Sequence, residues 1–168
     1  MKEQFKTLFF VKSSLISLYL ALTIPIPFFA NKELKIVSII LFVVGLIMIN
    51  EITSDCVETC DKKVSFKTSH FSNFFGKKRW EIFWNDVALI KSMPTSQGSK
   101  VFYFATKNDE NYLVPQRIEK ISKFVSIISI KTGLKVDELS YISPLWTYKL
   151  LTLLSVFMII GEIIAFII

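Results

Sequence analysis

Three long runs of apolar residues punctuate this 168-residue chain, with polar sequence between them. The first two runs, Leu8–Ile24 and Leu34–Ile49, follow each other closely, and the third covers Leu150–Ile168. A helix of about 20 apolar residues spans a hydrocarbon core of about 30 Å. We therefore expect a transmembrane helical hairpin in residues 1–50 and a third transmembrane helix in residues 144–168.

The ends of the hairpin helices are also marked in the sequence. Pro25 and Pro27 remove backbone donors and disfavour helix before them, so the first helix is expected to end or bend there. Asn31–Glu33 predicts a tight polar turn. A cleaved signal peptide is the rival interpretation, but Lys12 splits the apolar run and no small-residue cleavage site follows.

Residues 51–143 predict a soluble α+β domain with strands first and a helix last. Apolar residues alternate or cluster as in half-buried strands, and from Pro115 to Thr132 they switch to a helical period that Gly133 ends. This order favours a small barrel or sandwich whose open side the helix plugs. The predicted strands are Val57–Cys60, Val64–Thr68, Arg79–Asn85, Val87–Ser92, Val101–Thr106 and Asn111–Val114, and the predicted apolar helix face is Ile118, Ile121, Phe124, Val125 and Ile128.

Composition supports the membrane interpretation and narrows the chemistry. Hydrophobic residues make up 52% of the chain, and its mean hydropathy is +0.49. The net charge is +6, yet residues 51–143 hold 14 Lys/Arg against 11 Asp/Glu, which suits an anionic membrane surface better than nucleic acid. One histidine and the two cysteines, Cys56 and Cys60, cannot complete a zinc site. We expect reduced thiols, no metal, no cofactor and no enzymatic activity.

The positions of the cations predict an orientation. Lys2, Lys6 and Lys12 precede or begin the first apolar run, and Lys149 precedes the third beside Trp146 and Tyr148. By the positive-inside rule these belong on the cytoplasmic or stromal side, together with the soluble domain. The protein is thus expected to be a multi-pass component of a plasma membrane or a thylakoid-type inner membrane.

Two local sequences beside the predicted hairpin resemble a known family. Residues Trp80–Val87 (WEIFWNDV) and Tyr112–Pro115 (YLVP) make residues 52–139 similar to the bacterial pleckstrin-homology-like domains of small membrane proteins. The hairpin followed by a domain more distantly resembles the photosystem I assembly factors with two membrane helices, although a third apolar run departs from that plan. The resemblance implies a scaffold or assembly module and not an enzyme.

Residues 70–80 form the most distinctive local motif, because aromatic rings and cations interleave there. Such a mixture suits the headgroup layer of a membrane. The alternative is that the rings line the domain core and the cations are a solvated turn. The candidate residues for contact with lipid or a partner are Phe71, Phe74, Phe75, Lys77, Lys78, Arg79 and Trp80.

Glu162 is the ionisable residue that lies well inside an apolar run. A carboxylate near mid-bilayer costs about 2.5–3.5 kcal/mol on insertion scales, so Glu162 should face other helices, be protonated or find a partner such as Lys32 or Lys35. We expect an intramembrane helix contact. Small residues at helical spacing should face one another between the helices. They include Ser14, Ser17 and Ala21 in the first apolar run, Ser38 and Gly45 in the second, and Ser155 and Ala165 in the third.

Three hypotheses for function follow. The first is a non-enzymatic membrane protein whose cytoplasmic-side domain binds a partner protein, another copy or a membrane complex during assembly. The second is a module that binds anionic lipid through residues 70–80. The third is an accessory subunit of a small transporter or channel that uses Glu162.

Overall fold

The computed structural model describes residues 2–74, 76–96, 98–136 and 139–167, and the backbone alone of His70. The chain divides into two compact units. A β-rich unit holds the residues up to Leu8 and those from Ser54 to Pro144, and a helical unit holds the rest. In chain order the elements are β1 (Glu3–Lys6), α1 (Phe9–Thr23), α2 (Pro25–Phe29), α3 (Lys32–Ile52), β2 (Cys56–Thr59), β3 (Lys63–Lys67), α4 (His70–Phe74), β4 (Trp80–Phe83), a 3₁₀ turn (Trp84–Asp86), β5 (Val87–Pro94), β6 (Lys100–Thr106), β7 (Asn111–Leu113), α5 (Ile121–Thr132) and α6 (Leu145–Ile167).

The helical unit confirms that three segments are long and apolar enough to cross a membrane, namely Phe9–Phe29, Lys32–Ile52 and Leu145–Ile167. The first segment is interrupted as its prolines predict: α1 ends at Thr23 and α2 begins at Pro25. The fold is therefore compatible with a membrane protein.

The β-rich unit contains two antiparallel sheets, which confirms the predicted α+β character. One sheet has the order β1-β2-β3-β4 and the other the order β5-β6-β7. Among the described residues neither sheet closes on itself, so the arrangement is an open pair of sheets and not a closed barrel. The predicted strands lie within about two residues of the observed ones, except that residues 84–86 form a 3₁₀ turn.

The first strand lies within residues 1–50, which the apolar pattern assigns to the membrane hairpin. Glu3–Lys6 instead pairs with β2, with Phe5 opposite Val57 and Lys6 opposite Cys56. Phe5 is 3% exposed and belongs to the core of the β-rich unit. The domain is therefore assembled from chain on both sides of the helical hairpin.

Both sheets and α5 share one hydrophobic core. Alternate residues of the strands point inward, and the predicted apolar face of α5 meets them. Ile121, Phe124 and Ile128 are buried, and the Phe124 ring lies 5.3 Å from that of Phe5. The prediction that the helix covers the sheets with this face is confirmed.

The start of α5 differs from the prediction, which began the helix at Pro115. The helix begins at Ile121, directly after Lys120 in the left-handed conformation (φ 53°). The segment before it is held by backbone pairing instead: Ile118 bridges to Thr7, and the Glu119 amide donates to the Lys6 carbonyl at 2.9 Å. Long-range pairing with the N-terminal segment therefore overrides the local helical pattern. Gly133 ends the helix with φ 72°, as predicted.

Candidate functional surfaces

The β-rich unit continues into the helical unit at three points of the chain: after Leu8, before Ser54 and after Pro144. Hydrogen bonds bring the residues beside these points together. The Thr7 amide and hydroxyl both donate to the Asp55 carbonyl, at 3.2 and 2.9 Å. The Leu8 amide donates to the Arg117 carbonyl at 2.8 Å. The Gln116 amide group, next in the chain, donates to the Ser140 carbonyl at 2.8 Å. All three connections therefore leave from one end of the unit, which we name the connection end.

The opposite end of the same unit is formed by three turns, and we name it the distal end. The Trp84 amide donates to the Lys62 carbonyl at 3.0 Å, and the Lys107 amide donates to the Asp86 carbonyl at 3.0 Å. The turns at residues 60–62, 84–86 and 107–110 thus lie together. Because antiparallel strands alternate between two ends, residues 68–79, which join β3 to β4, belong to the connection end.

An ion pair fixes the segment 70–80 at this end. The Lys77 ammonium lies 2.6 Å from the Asp55 carboxylate, whose side chain is 12% exposed. The Lys77 amide also donates to the Ser72 carbonyl at 3.0 Å. Ser69 starts the short helix α4, because its hydroxyl accepts a hydrogen bond from the Ser72 amide at 3.1 Å. No local pattern in the sequence marks Asp55 as the partner of this segment.

The structure divides the predicted aromatic and basic residues into two groups. Phe74 is 84% exposed and Phe71 42% exposed. Lys77, Lys78 and Arg79 are exposed as well. Trp80 instead packs against the core and against the rings of Phe66, Phe104 and Tyr112. Phe75 lies outside the described residues. Trp80 therefore lies at the core, as the alternative interpretation expects, whereas Phe71 and Phe74 do not; contact of the segment with lipid or a partner stays a prediction.

The outer face of the first sheet is held by cross-strand ion pairs. The Glu58 carboxylate on β2 lies 2.8 Å from the Lys67 ammonium and 3.2 Å from that of Lys2. On β3 and β4, Lys63 pairs with Glu81 at 2.7 Å. The hydrogen bond from Lys67, joined by one from Lys2, holds the pKa of Glu58 below its ordinary value. The same bond raises the pKa of Lys67.

The outer face of the second sheet is largely apolar, which no local pattern in the sequence marks. Pairing places Met93 opposite Val101, and Lys91 and Leu113 on either side of Tyr103. Residues opposite each other in adjacent strands share one face of a sheet. Leu89, Met93 and Leu113 are 44%, 51% and 50% exposed. We name this surface the apolar sheet face; its residues are Leu89, Lys91, Met93, Val101, Tyr103 and Leu113, and Asn111 lies at its edge.

Within the helical unit α1 packs mainly against α6, and several of the small residues expected between helices are buried, whereas Ala165 is exposed. Ser14, Ala21 and Ser155 are each 1% exposed. The α1–α3 contact is different: the Tyr19 hydroxyl donates to the Phe42 carbonyl at 2.8 Å, and Gly45 leaves room for the Tyr19 ring.

Glu162 lies partly buried within the helical unit. Its Oε2 is buried and has no hydrogen-bond partner in the part of the chain that the structure describes. Among those residues, neither Lys32 nor Lys35 forms an ion pair with it. The pairing that the sequence suggested is therefore not formed. One turn further along α6, Phe166 stacks on Phe28 with ring centroids 4.3 Å apart.

The described residues contain no group of three or more His, Cys, Asp or Glu side chains placed to hold a metal ion. Cys56 and Cys60 are both free thiols. The Cys56 sulfur accepts a hydrogen bond from the Gln4 side chain at 3.4 Å. The two surface features described above are the apolar sheet face and the basic segment with exposed rings.

Comparison with known proteins finds one relative of substantial coverage. The chain is 29% identical over 151 residues to the uncharacterized protein slr0269 of Synechocystis sp., covering 86% of this chain and 76% of that protein. No family model matches the chain. No solved structure matches it.

Proposed function

We propose that the protein is a non-enzymatic, multi-pass membrane protein whose β-rich unit docks a partner protein through the apolar sheet face. The observation that carries this proposal is the exposure of Leu89, Met93 and Leu113 on one face of the second sheet. Soluble surfaces rarely keep a contiguous apolar patch on a regular sheet unless another protein covers it.

The partner is best sought in the same membrane. The three connections of the β-rich unit leave from its connection end, so helices that cross a bilayer would hold that end at the membrane surface. A partner that is already confined to the same membrane surface loses less translational and rotational freedom on binding the apolar sheet face than a partner from solution does. Lys91 lies within the face and favours a partner segment that places a carboxylate among apolar side chains.

The arrangement of the unit supports the pleckstrin-homology-like resemblance as part of the proposal. Strands followed by one helix that covers the shared core is the order that the resemblance implies. In such a module the scaffold positions surfaces and carries out no chemistry. We place the unit on the cytoplasmic or stromal side, as the basic residues beside the apolar runs favour.

Site-specific photo-crosslinking in native membranes tests the proposal. A photoreactive residue at Met93 or Leu113 is expected to give one discrete product with another membrane protein. The matched control is Phe83, which is 52% exposed on the first sheet and is expected to give none. The variant Leu89→Glu should abolish the product formed from position 93.

Two outcomes would contradict the proposal. The first is that positions 93 and 113 give no product, or the same products as position 83. The second is a product with the mass of two copies of this chain, because it would assign the apolar sheet face to self-association.

A further inference from the structure

We infer that the segment between β3 and β4 forms a second contact surface through Phe71, Phe74, Lys78 and Arg79, which rests on the headgroups of an anionic membrane and fixes the orientation of the β-rich unit. This inference goes beyond partner docking, since it uses the other sheet and the connection end. It requires the membrane placement proposed above but not the apolar sheet face.

The Lys77–Asp55 ion pair ties the 70–80 segment to the chain that follows α3. The Lys77 ammonium is bonded to the Asp55 carboxylate at 2.6 Å, and Asp55 follows the last residue of α3, Ile52, by three positions. A chain of three residues spans at most about 10 Å. If α3 crosses a bilayer, the ion pair keeps the 70–80 segment within reach of the point where α3 enters the headgroup layer.

The exposed side chains of the segment include aromatic rings and cations. Phe74 and Phe71 are exposed at 84% and 42%, although large rings in solvent are costly. Beside them Lys78 and Arg79 extend the cationic stretch. Aromatic rings settle at the membrane interface, while cations are attracted to anionic phosphates in the leaflet. Both kinds of group occur on one short segment, which suits a lipid surface better than a purely apolar or purely acidic partner.

Hydrogen bonds and one ion pair hold the segment in a defined conformation. Lys77 is bonded to Asp55 by its side chain and to Ser72 by its backbone, and Ser69 caps α4. One cation is therefore used to hold the segment, and the next two are presented outward. A braced segment loses less conformational freedom on binding than a free loop.

Electron spin resonance on the full chain in nanodiscs tests the inference. The isolated domain is unsuitable, because β1 precedes the helical hairpin in the chain. A spin label is placed at Asn73, or at Asn108 in the distal end as the matched control, after Cys56→Ser and Cys60→Ser remove the native thiols. Nanodiscs holding one copy are made of phosphatidylcholine alone or with phosphatidylglycerol.

In phosphatidylglycerol nanodiscs the label at position 73 should be shielded from a water-soluble nickel reagent and accessible to oxygen, whereas the label at position 108 should remain accessible to nickel. Lys78→Glu with Arg79→Glu should lower the ratio of shielded to exposed label by about fivefold for each cation removed. The control pair Lys62→Glu with Lys107→Glu makes the same charge change at the distal end, and it should leave the ratio unchanged.

Equal nickel accessibility at positions 73 and 108 in anionic nanodiscs would overturn the inference. So would equal effects of the two charge-reversal pairs, because the attraction would then be a property of the whole unit. An unchanged unfolding transition in each variant confirms that folding is retained. No partner protein is present in these samples, so the result is independent of the crosslinking experiment at the apolar sheet face.

Discussion

The ring of Phe5 lies 5.3 Å from the ring of Phe124, at a tilt of 55°. Phe5 belongs to the strand before the first apolar helix, whereas Phe124 belongs to the helix that closes the β-rich unit. Both rings are nearly inaccessible to solvent, at 3% and 0% exposure. The contact joins chain segments that the helical hairpin separates in sequence.

Removing the Phe5 ring should destabilise the β-rich unit. A buried Phe→Ala change costs about 3–5 kcal/mol through lost burial and the cavity left behind. We expect this loss for Phe5→Ala in denaturant unfolding of the full chain, followed by tryptophan fluorescence. The matched control is Phe83→Ala, which removes a half-exposed ring and should cost about 1 kcal/mol or less. Equal losses for the two variants would argue against a core position for Phe5.

Glu58 should make stability depend on pH in the acid range. The hydrogen bonds from Lys67 and Lys2 lower the pKa of Glu58 in the folded protein below its ordinary value of 4.5. A carboxyl with a lowered folded pKa contributes stability above its unfolded pKa, and loses that contribution as the pH falls through the folded value. We therefore expect the unfolding free energy of Glu58→Gln to change less than that of the wild type between neutral pH and pH values below 4.5.

The partner variant Lys67→Met provides the control for the Glu58 prediction. Because the two side chains share one hydrogen bond, the double variant should lose less stability than the sum of the single losses. A fully additive result would show that Glu58 and Lys67 act independently. A wild-type curve as steep as that of Glu58→Gln would show that the carboxyl does not contribute.

Gly45 and Tyr19 should be coupled in the helical unit. A methyl group at position 45 would collide with the Tyr19 phenol, whose hydroxyl donates to the Phe42 carbonyl. Tyr19→Phe removes only the hydrogen bond, which is worth about 0.6 kcal/mol on average between membrane helices. Gly45→Ala should lower the thermal transition in detergent more than Tyr19→Phe does. In the Tyr19→Phe background its effect should shrink, because the closest atom is gone; an unchanged effect would refute the contact.

The left-handed conformation of Lys120 predicts a further response. A non-glycine residue at φ 53° carries strain of about 1 kcal/mol, and a β-branched residue carries more. Lys120→Gly should therefore be neutral or stabilising, and Lys120→Val should be clearly destabilising in the same unfolding measurement. The opposite order of the two variants would contradict the left-handed conformation of Lys120.

Elements with a strong local period were predictable from the sequence. The three apolar helices, most strands and the buried face of α5 follow from runs and alternation that each segment carries alone. The break in the first apolar helix before Pro25 and the end of α5 at Gly133 follow from the backbone properties of proline and glycine. These properties do not depend on tertiary contacts.

Features that depend on distant pairing were not predictable in the same way. Glu3–Lys6 has one apolar residue, so nothing local marks it as a strand, and it becomes one by pairing with residues 56–59. The same pairing extends through Thr7 to Ile118 and delays the start of α5. The apolar sheet face was not predictable because Leu89 and Ile90, which point to opposite faces of β5, are both apolar, and the register with β6 is needed to separate them.

A crosslink between β1 and β2 tests most directly that the N-terminal strand completes the β-rich unit. Lys6 is directly opposite Cys56, so Lys6→Cys in a Cys60→Ser background should form a disulfide with Cys56 on mild oxidation in membranes. Glu3→Cys in the same background is the control, because Glu3 is opposite Thr59, three residues further along β2. We predict that oxidation removes both thiols from labelling by a maleimide in the first variant and neither in the second. Free thiols in both variants after oxidation would contradict the pairing and the joined connection end that depends on it.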